Sequence, residues 1–163
     1  MKCPVCGFPE LTTTHEPYKY DESGLPNITL ANIEIRRCGH CGEELPAIPR
    51  MAELHKVIAR SVVEQHAKLS GAEVRFLRKY LGHSGADFAA LIGVSRETVS
   101  RWENDKEPIG GTSDRLLRLL VVLDQRARDY NVVEQFSGID TPSDATPILS
   151  FSKEGSSWHP RAA

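Results

Sequence analysis

Four cysteines, arranged as two Cys-x-x-Cys pairs, are the residues of this sequence best suited to chemistry. The pairs are Cys3 with Cys6 and Cys38 with Cys41, and 31 residues separate them. Each pair offers two soft sulfur ligands, and two such pairs match a tetrahedral all-cysteine zinc site. Four protein ligands leave no coordination position for water, so the spacing predicts a structural zinc ion rather than a catalytic one.

Other interpretations of these residues compete with zinc. Disulfide pairing is disfavoured in a cytoplasmic chain, and a thioredoxin-like redox motif needs one Cys-x-x-Cys beside a βαβ pattern. His40 lies inside the second pair and could replace a neighbouring cysteine, although in that position a histidine is more often a solvated loop residue. His15 is a weaker candidate still.

A second group of candidate residues lies in the segment VSRETVSRWE, residues 94–103. At helical spacing, Val99 and Trp102 face inward, which leaves a polar face for contact with a DNA major groove. The predicted DNA-binding residues are Ser95, Arg96, Glu97, Thr98, Ser100 and Arg101.

The chemistry of this face suits base recognition. Arginine at 96 or 101 can bond guanine O6 and N7, and Glu97 can accept a hydrogen bond from cytosine N4. Thr98 and Ser100 suit a phosphate or a thymine methyl group. The competing interpretation is a surface ion pair between Glu97 and Arg101, worth only about 0.2 to 0.5 kcal/mol.

Short helices joined by tight turns are predicted to position this face. The pattern indicates a packing helix over 71–81, a helix over 85–92 capped by Ser84 and ended by Gly93, and the reading helix capped by Ser95. In the packing helix, helical spacing predicts Val74 and Leu77 on the inner face and Arg78 on the outer face. Because one such helix reads only a few base pairs, a homodimer is predicted.

A further helix, from Asp114 to about Tyr130 and capped by Ser113, is apolar on more than one face. One face is expected to close the helix-turn-helix core. The surplus apolar surface either buries a partner subunit or lies under the tail.

The N-terminal part has strand character. Residues 11–20 and 28–37 are rich in Thr, Tyr and Ile and flank a turn-forming stretch, which predicts a hairpin. Residues 43–50, with Pro46 and Pro49, are predicted to be a connection. Residues 51–69 form a predicted helix, either a rigid arm or dimer contact, or a helix packed on the domain that follows.

The predicted fold class is α+β and multidomain, with a small zinc-ribbon-like β module followed by an all-α helix-turn-helix domain. The predicted divisions are a zinc module at 1–50, a connecting helix at 51–70, the DNA-binding domain at 71–130 and an irregular tail at 131–163. Within the tail, Pro147-Ile-Leu-Ser-Phe-Ser alternates as an edge strand would.

Charge is distributed unevenly along the chain. The net charge is −2; residues 1–50 carry five Lys/Arg and seven Asp/Glu, whereas residues 71–106 carry six and five. An all-cysteine zinc site adds about −2 to the first half, which suits a basic protein partner better than DNA. With no long apolar segment and no secretory pattern, we expect a cytoplasmic protein without membrane contact. Nothing resembles a catalytic arrangement, so we expect no enzyme activity.

The order of the motifs KCPVCG, CGHCG and GVSRETVSRWEND over residues 1–125 resembles the MqsA/YgiT-type antitoxins, and the last motif is similar to the Xre/Cro-like helix-turn-helix. The resemblance implies a type II toxin-antitoxin pair. Its zinc module would bind a small basic protein toxin, usually a ribonuclease. Its dimeric helix-turn-helix would bind a palindromic operator in double-stranded DNA and repress its own operon.

Two features depart from the family. Glu97 stands where the family has Asn, although Arg101 matches the family's Arg, so the base preference does not carry over. The chain beyond Asn131 exceeds the shorter family members. Two other functions compete with the antitoxin: a stand-alone zinc-containing transcriptional regulator without a toxin, and a protein-interaction adaptor that keeps the helix-turn-helix as scaffold.

Overall fold

The N-terminal module is a small antiparallel sheet. The structure, a computed structural model, describes residues 2–127, 150–154 and 157–161. Strands β1 (Leu11–Lys19), β2 (Thr29–Cys38) and β3 (Glu44–Ala47) pair in the order β1-β2-β3. The predicted hairpin is thus present, with Leu11 opposite Cys38, and its register shifts between Glu16 and Tyr18, where Pro17 has no N–H to donate.

Strand β3 was missed in the sequence, where residues 43–50 were predicted to be a connection. Its Pro46 discourages a strand assignment. The strand lies at the edge of the sheet, however, and a proline is tolerated there because one side of an edge strand needs no ladder hydrogen bond.

Five helices follow within the described residues. They are α1 (Met51–Glu64), α2 (Gly71–Tyr80), α3 (Gly85–Ile92), α4 (Arg96–Glu103) and α5 (Gly111–Ala127). Serines start three of them: the hydroxyls of Ser70, Ser84 and Ser95 each accept a hydrogen bond from the third helical N–H. Gly93, with φ of 70°, ends α3, so the predicted succession of helix, turn and helix over 85–103 is observed.

The start of α5 differs from the prediction. Ser113 was predicted to cap a helix beginning at Asp114, but the helix begins at Gly111 and the Asp114 amide donates to the Gly110 carbonyl at 2.9 Å. The Asp114 side chain is buried instead. It accepts from the Leu69 amide at 2.9 Å and pairs with Arg118 at 2.6 Å, so it fastens the loop before α2 to α5.

The helices and the sheet share one buried core. Its members from the helices include Ile58 of α1, Leu77 of α2, Phe88 of α3 and Leu117 of α5. Of the two interpretations of the segment after residue 50, packing against the following helices therefore describes α1. Tyr20 and Leu25, from the loop between β1 and β2, belong to the same core.

The second helix is more fully buried than predicted. Val74 and Leu77 face inward as expected, but Phe76 is also buried. Arg78 was predicted to point outward; its side chain is only 11% exposed because it pairs with Glu103 of α4. Periodicity alone does not reveal this, since the partner lies on another helix.

The end of the described chain forms a separate hairpin. Strands β4 (Ser150–Glu154) and β5 (Ser157–Arg161) pair antiparallel as a two-stranded sheet of their own. The alternating stretch at 147–152, which was compatible with an edge strand or with irregular structure, overlaps β4; in the described part of the chain β4 pairs with β5. The irregular tail was predicted over 131–163; of it, residues 131–149, 155–156 and 162–163 lie outside the described residues, as does the end of α5 predicted near Tyr130.

Candidate metal centre and nucleic-acid interface

Two turns of the same design hold the four cysteines. In the first, the Cys3 amide donates to the Phe8 carbonyl at 2.8 Å and the Gly7 amide to the Cys3 carbonyl at 2.9 Å. In the second, the amides of Cys38 and Gly42 repeat these bonds at 3.0 and 2.9 Å. Gly7 and Gly42 both adopt φ of 75°, which a side chain would strain. Each turn therefore presents two sulfur atoms from a fixed backbone.

The four sulfur atoms lie together. The Cys3 and Cys41 Sγ atoms are 3.6 Å apart, those of Cys6 and Cys38 are 3.5 Å apart, and all four lie within 4.8 Å of one another. A tetrahedron with zinc–sulfur bonds of about 2.3 Å has sulfur–sulfur edges of about 3.8 Å. The cluster therefore fits a metal ion such as zinc, bound by four thiolates.

The local electrostatics favour thiolate at one of these positions. The amides of Cys41 and His40 donate to the Cys38 sulfur and lower its pKa to about 6. The Glu43 amide acts in the same direction on Cys41, but desolvation and the three neighbouring sulfurs outweigh it and raise the Cys41 pKa to about 12. Without a cation, closely packed thiols thus share protons. A divalent metal replaces those protons and removes the mutual repulsion.

Neither candidate histidine joins the cluster. His40 is exposed, and its ring stacks on Phe8 with centroids 5.5 Å apart and planes 16° apart. The pair joins the tips of the two cysteine turns, so His40 is more than a solvated loop residue. His15 lies exposed on β1, opposite Glu34 of β2.

The polar face predicted on the reading helix is exposed in the structure. Val99 and Trp102 of α4 are buried, whereas Arg96, Glu97, Ser100 and Arg101 are exposed. Ser95 and Thr98, the other two predicted DNA-binding residues, form hydrogen bonds with each other at the start of the helix. The Ser95 hydroxyl accepts from the Thr98 amide at 3.1 Å and lies 3.0 Å from the Thr98 hydroxyl.

Two arginines of α2 hold the far end of α4. Arg78 donates to both carboxylate oxygens of Glu103, at 2.5 and 3.1 Å, and to the His83 carbonyl at 2.8 Å. Arg75 donates to the Glu103 carbonyl at 2.9 Å. These bonds fix the orientation of α4 relative to α2, and with it the direction in which the exposed face points.

The charges on this face are mixed. Hydrogen bonds from its own amide and from Ser95 lower the pKa of Glu97, which favours the ionised carboxylate. Arg101 pairs with Glu107, with Nη1 and Oε2 3.9 Å apart, rather than with Glu97. Lys106 completes a surface depression lined also by Arg96, Glu97, Ser100 and Arg101. Lys106 lies beyond the end of α4, so helical spacing alone does not point to it.

These observations define the class of protein: an α+β chain in which a small sheet module, whose four clustered cysteines can hold a metal ion, is joined to a set of short helices. A family model described as the antitoxin component of bacterial toxin-antitoxin system, MqsA, matches residues 1–131. The chain belongs to this family, as the order of its motifs predicted. A comparison with curated proteins finds no match.

Membership supports a role as the antitoxin of a toxin-antitoxin system and implies a toxin partner. An antitoxin is a regulatory protein rather than an enzyme. Among the helices of the described residues, none is long and apolar enough to cross a membrane.

Proposed function

We propose that this chain is the antitoxin of a type II toxin-antitoxin pair, that it binds its toxin through the zinc module, and that it represses its own operon through α3 and α4. The family match over residues 1–131 carries the proposal. Both activities belong to the cytoplasm, where the operator DNA is found.

The metal is zinc, and its role is structural. Four cysteine ligands close the coordination sphere, so the ion has no open position for substrate or water. A three-stranded sheet of this size buries little surface by itself, and metal binding worth on the order of 10 kcal/mol compensates. The ion thereby holds the two cysteine turns and the adjoining ends of β1 and β2 in place.

The toxin-binding assignment is supported by charge. Residues 1–50 carry more Asp and Glu than Lys and Arg, and the zinc tetrathiolate adds about two negative charges. A basic partner is attracted to such a module, whereas DNA is repelled. A small basic toxin is therefore the partner whose charge suits this half of the chain.

The DNA-binding assignment is supported by the exposure of α4. Arg96 and Arg101 read guanine or hold phosphate, and the ionised Glu97 accepts from cytosine N4. Ser100 lies between them on the same exposed face. Ser95 and Thr98 fix the start of the helix and offer hydroxyls to a phosphate there.

The dimer surface is assigned to α5. Leu119, Val122 and Leu123 are exposed on this helix, whereas Leu117 and Val121 are buried. A second copy is the proposed occupant of the exposed stripe, because a palindromic operator requires two reading helices about one DNA turn apart. Sedimentation equilibrium is expected to give a dimer for the natural chain and a monomer for a Leu119→Ser, Val122→Ser variant. A dimer in that variant would show that this exposed stripe of α5 is not the dimer interface.

Affinity purification of the full chain from its native bacterium tests the antitoxin role. A small basic protein is expected to copurify in stoichiometric amount. If no protein accompanies the chain but it binds the promoter fragment upstream of its own gene, the stand-alone regulator is the correct function. If neither is bound, both functions fail.

Operator binding is tested with substitutions on α4. Arg96→Ala is expected to weaken binding to the promoter fragment by about 1 to 3 kcal/mol and to relax the preference at one base pair. Arg50→Ala is the matched control, since Arg50 is an exposed arginine at the start of α1 and not on α4. The affinity of an Arg96→Ala, Arg101→Ala double variant is measured by fluorescence anisotropy. Unchanged affinity would show that α4 does not contact the major groove.

A further inference from the structure

Lys106 lies just beyond the reading helix and has no assigned role. Its side chain lines the same depression as Arg96, Ser100 and Arg101. The ammonium group makes no ion pair or hydrogen bond with any residue in the described part of the chain. It is therefore an unneutralised cation beside the face assigned to DNA.

The backbone around Lys106 is held in place. Asp105 adopts φ of 52°, a left-handed conformation that is uncommon for residues other than glycine, although aspartate is one of those that adopt it more readily. Its carboxylate accepts from the Gly71 amide at 2.7 Å, which ties this turn to the start of α2. The Lys106 amide donates to the Arg101 carbonyl at 2.9 Å, which ties it to α4. The lysine is thus carried on a fixed turn rather than on a loose loop.

Carboxylates beside Lys106 make its positive charge important for attracting DNA. Arg101 Nη1 lies 3.9 Å from Glu107 Oε2, and Glu97 adds a second carboxylate to the face. These carboxylates offset part of the charge of the two arginines. An additional cation at the border of the face restores an attraction for phosphate, and a lysine ammonium suits a single phosphate as a compact point charge.

We propose that Lys106 binds a DNA phosphate at the border of the base pairs that α4 reads, held there by the Asp105 turn. The proposal rests on the proposed operator binding and adds a contact to it. Such a contact positions the protein on the duplex but carries no sequence information. Its loss should weaken binding to every duplex alike.

The salt dependence of binding tests this directly. The probes are a duplex carrying the promoter upstream of the gene for this chain and a scrambled duplex of the same length and composition. The slope of log affinity against log salt concentration is negative, and for Lys106→Ala it should become shallower by about 0.9 for each protomer bound. The ratio of affinities for the two duplexes should stay as in the natural chain. Lys106→Arg should keep the natural slope.

Lys19→Ala is the control, because it removes the same charge from the zinc module, where Lys19 pairs with Asp21 at 2.9 Å. It should leave the slope unchanged. A Lys106→Ala slope equal to that of the natural chain overturns the inference while leaving operator binding intact. A change in the affinity ratio for the two duplexes also overturns it, since that would indicate base recognition. If the natural chain does not bind the promoter duplex, the proposed function itself fails.

Discussion

Gly71 and Gly85 occupy the same position, the first residue of a helix capped by serine, but their surroundings differ. A Cβ on Gly71 would lie 2.4 Å from the Trp102 carbonyl oxygen and 2.9 Å from the Asp105 carboxylate. A Cβ on Gly85 would meet nothing within 4 Å. The first glycine lets α2 and the end of α4 approach each other, whereas the second has no neighbour that requires it.

Substitution by alanine should therefore have opposite effects at the two positions. Gly71→Ala must push the start of α2 away from α4 and is expected to lower the free energy of unfolding by about 1 to 3 kcal/mol. Gly85→Ala is expected to raise it by up to about 1 kcal/mol, because alanine restricts the unfolded chain. Urea unfolding at saturating zinc measures both. Equal changes in the two variants would mean that the close approach at Gly71 does not exist in solution.

At the scale of residues, local spacing predicted the exposed and buried positions of α4 well. Val99 and Trp102 are buried and Arg96 and Arg101 are exposed, because a helical period assigns faces without knowledge of the rest of the chain. It also predicted that the cysteines belong together. It could not place Arg78, whose partner is 25 residues away, because such a pairing depends on how two helices pack.

At the scale of elements, capping determines where the helices of the second half begin. The Ser84 hydroxyl accepts a hydrogen bond from the Asp87 amide at 3.1 Å and donates one to the Asp87 carboxylate at 2.6 Å. Ser113 resembles it in sequence, as a serine before an apolar run, but lies inside α5. Ser84 therefore caps a helix, whereas Ser113 does not, although the two look alike in the sequence.

Ser84→Ala is expected to lower the free energy of unfolding by about 1 kcal/mol, whereas Ser113→Ala should have little effect. The pH dependence distinguishes them further. The Ser84 hydroxyl and then its amide lower the pKa of Asp87, so this contribution to stability is present above the unfolded value of 3.8 and is lost as the pH falls. The difference between Ser84→Ala and the natural chain should thus shrink in acid. A constant difference from pH 7 to pH 3 would contradict the Asp87 contact.

The elements that sequence could not predict are those that depend on their neighbours. Strand β3 contains Pro46 and exists because β2 offers it an edge. Helix α5 begins at Gly111 and not at the predicted Asp114, whose carboxylate accepts a hydrogen bond from the Leu69 amide. In both cases a contact distant in sequence outweighed the local signal, as tertiary contacts often do.

In the molecule as a whole, the four-cysteine sheet module and the helices are not separate bodies joined by a linker. Tyr20 and Leu25 of the β1–β2 loop are 3% and 2% exposed and belong to the core that contains Ile58 of α1. The Tyr20 hydroxyl lies 2.9 Å from His55 Nε2, and the His55 ring meets Phe76 of α2 edge-on. A row of contacts thus runs from the sheet through α1 to α2.

This continuity has a consequence for stability. Metal binding stabilises only the folded state of the cysteine turns, but the turns belong to a sheet whose loop lies in the common core. If the core unfolds as one unit, the ion stabilises the helices as well. Trp102, buried in α4, reports on this from a position in the helical half, provided that Trp158 is replaced by Phe so that one tryptophan remains.

Chelation of zinc by EDTA is therefore expected to lower the midpoint of the Trp102 fluorescence transition in urea. Leu25→Ala should weaken the coupling, because it removes a buried side chain of the β1–β2 loop from the common core and costs about 2 to 5 kcal/mol. Val57→Ala, on the exposed face of α1, is the control and should leave the response to EDTA unchanged. A Trp102 transition that EDTA does not move would mean that the two halves unfold independently, since a shared core cannot lose one of its supports without a loss of stability throughout.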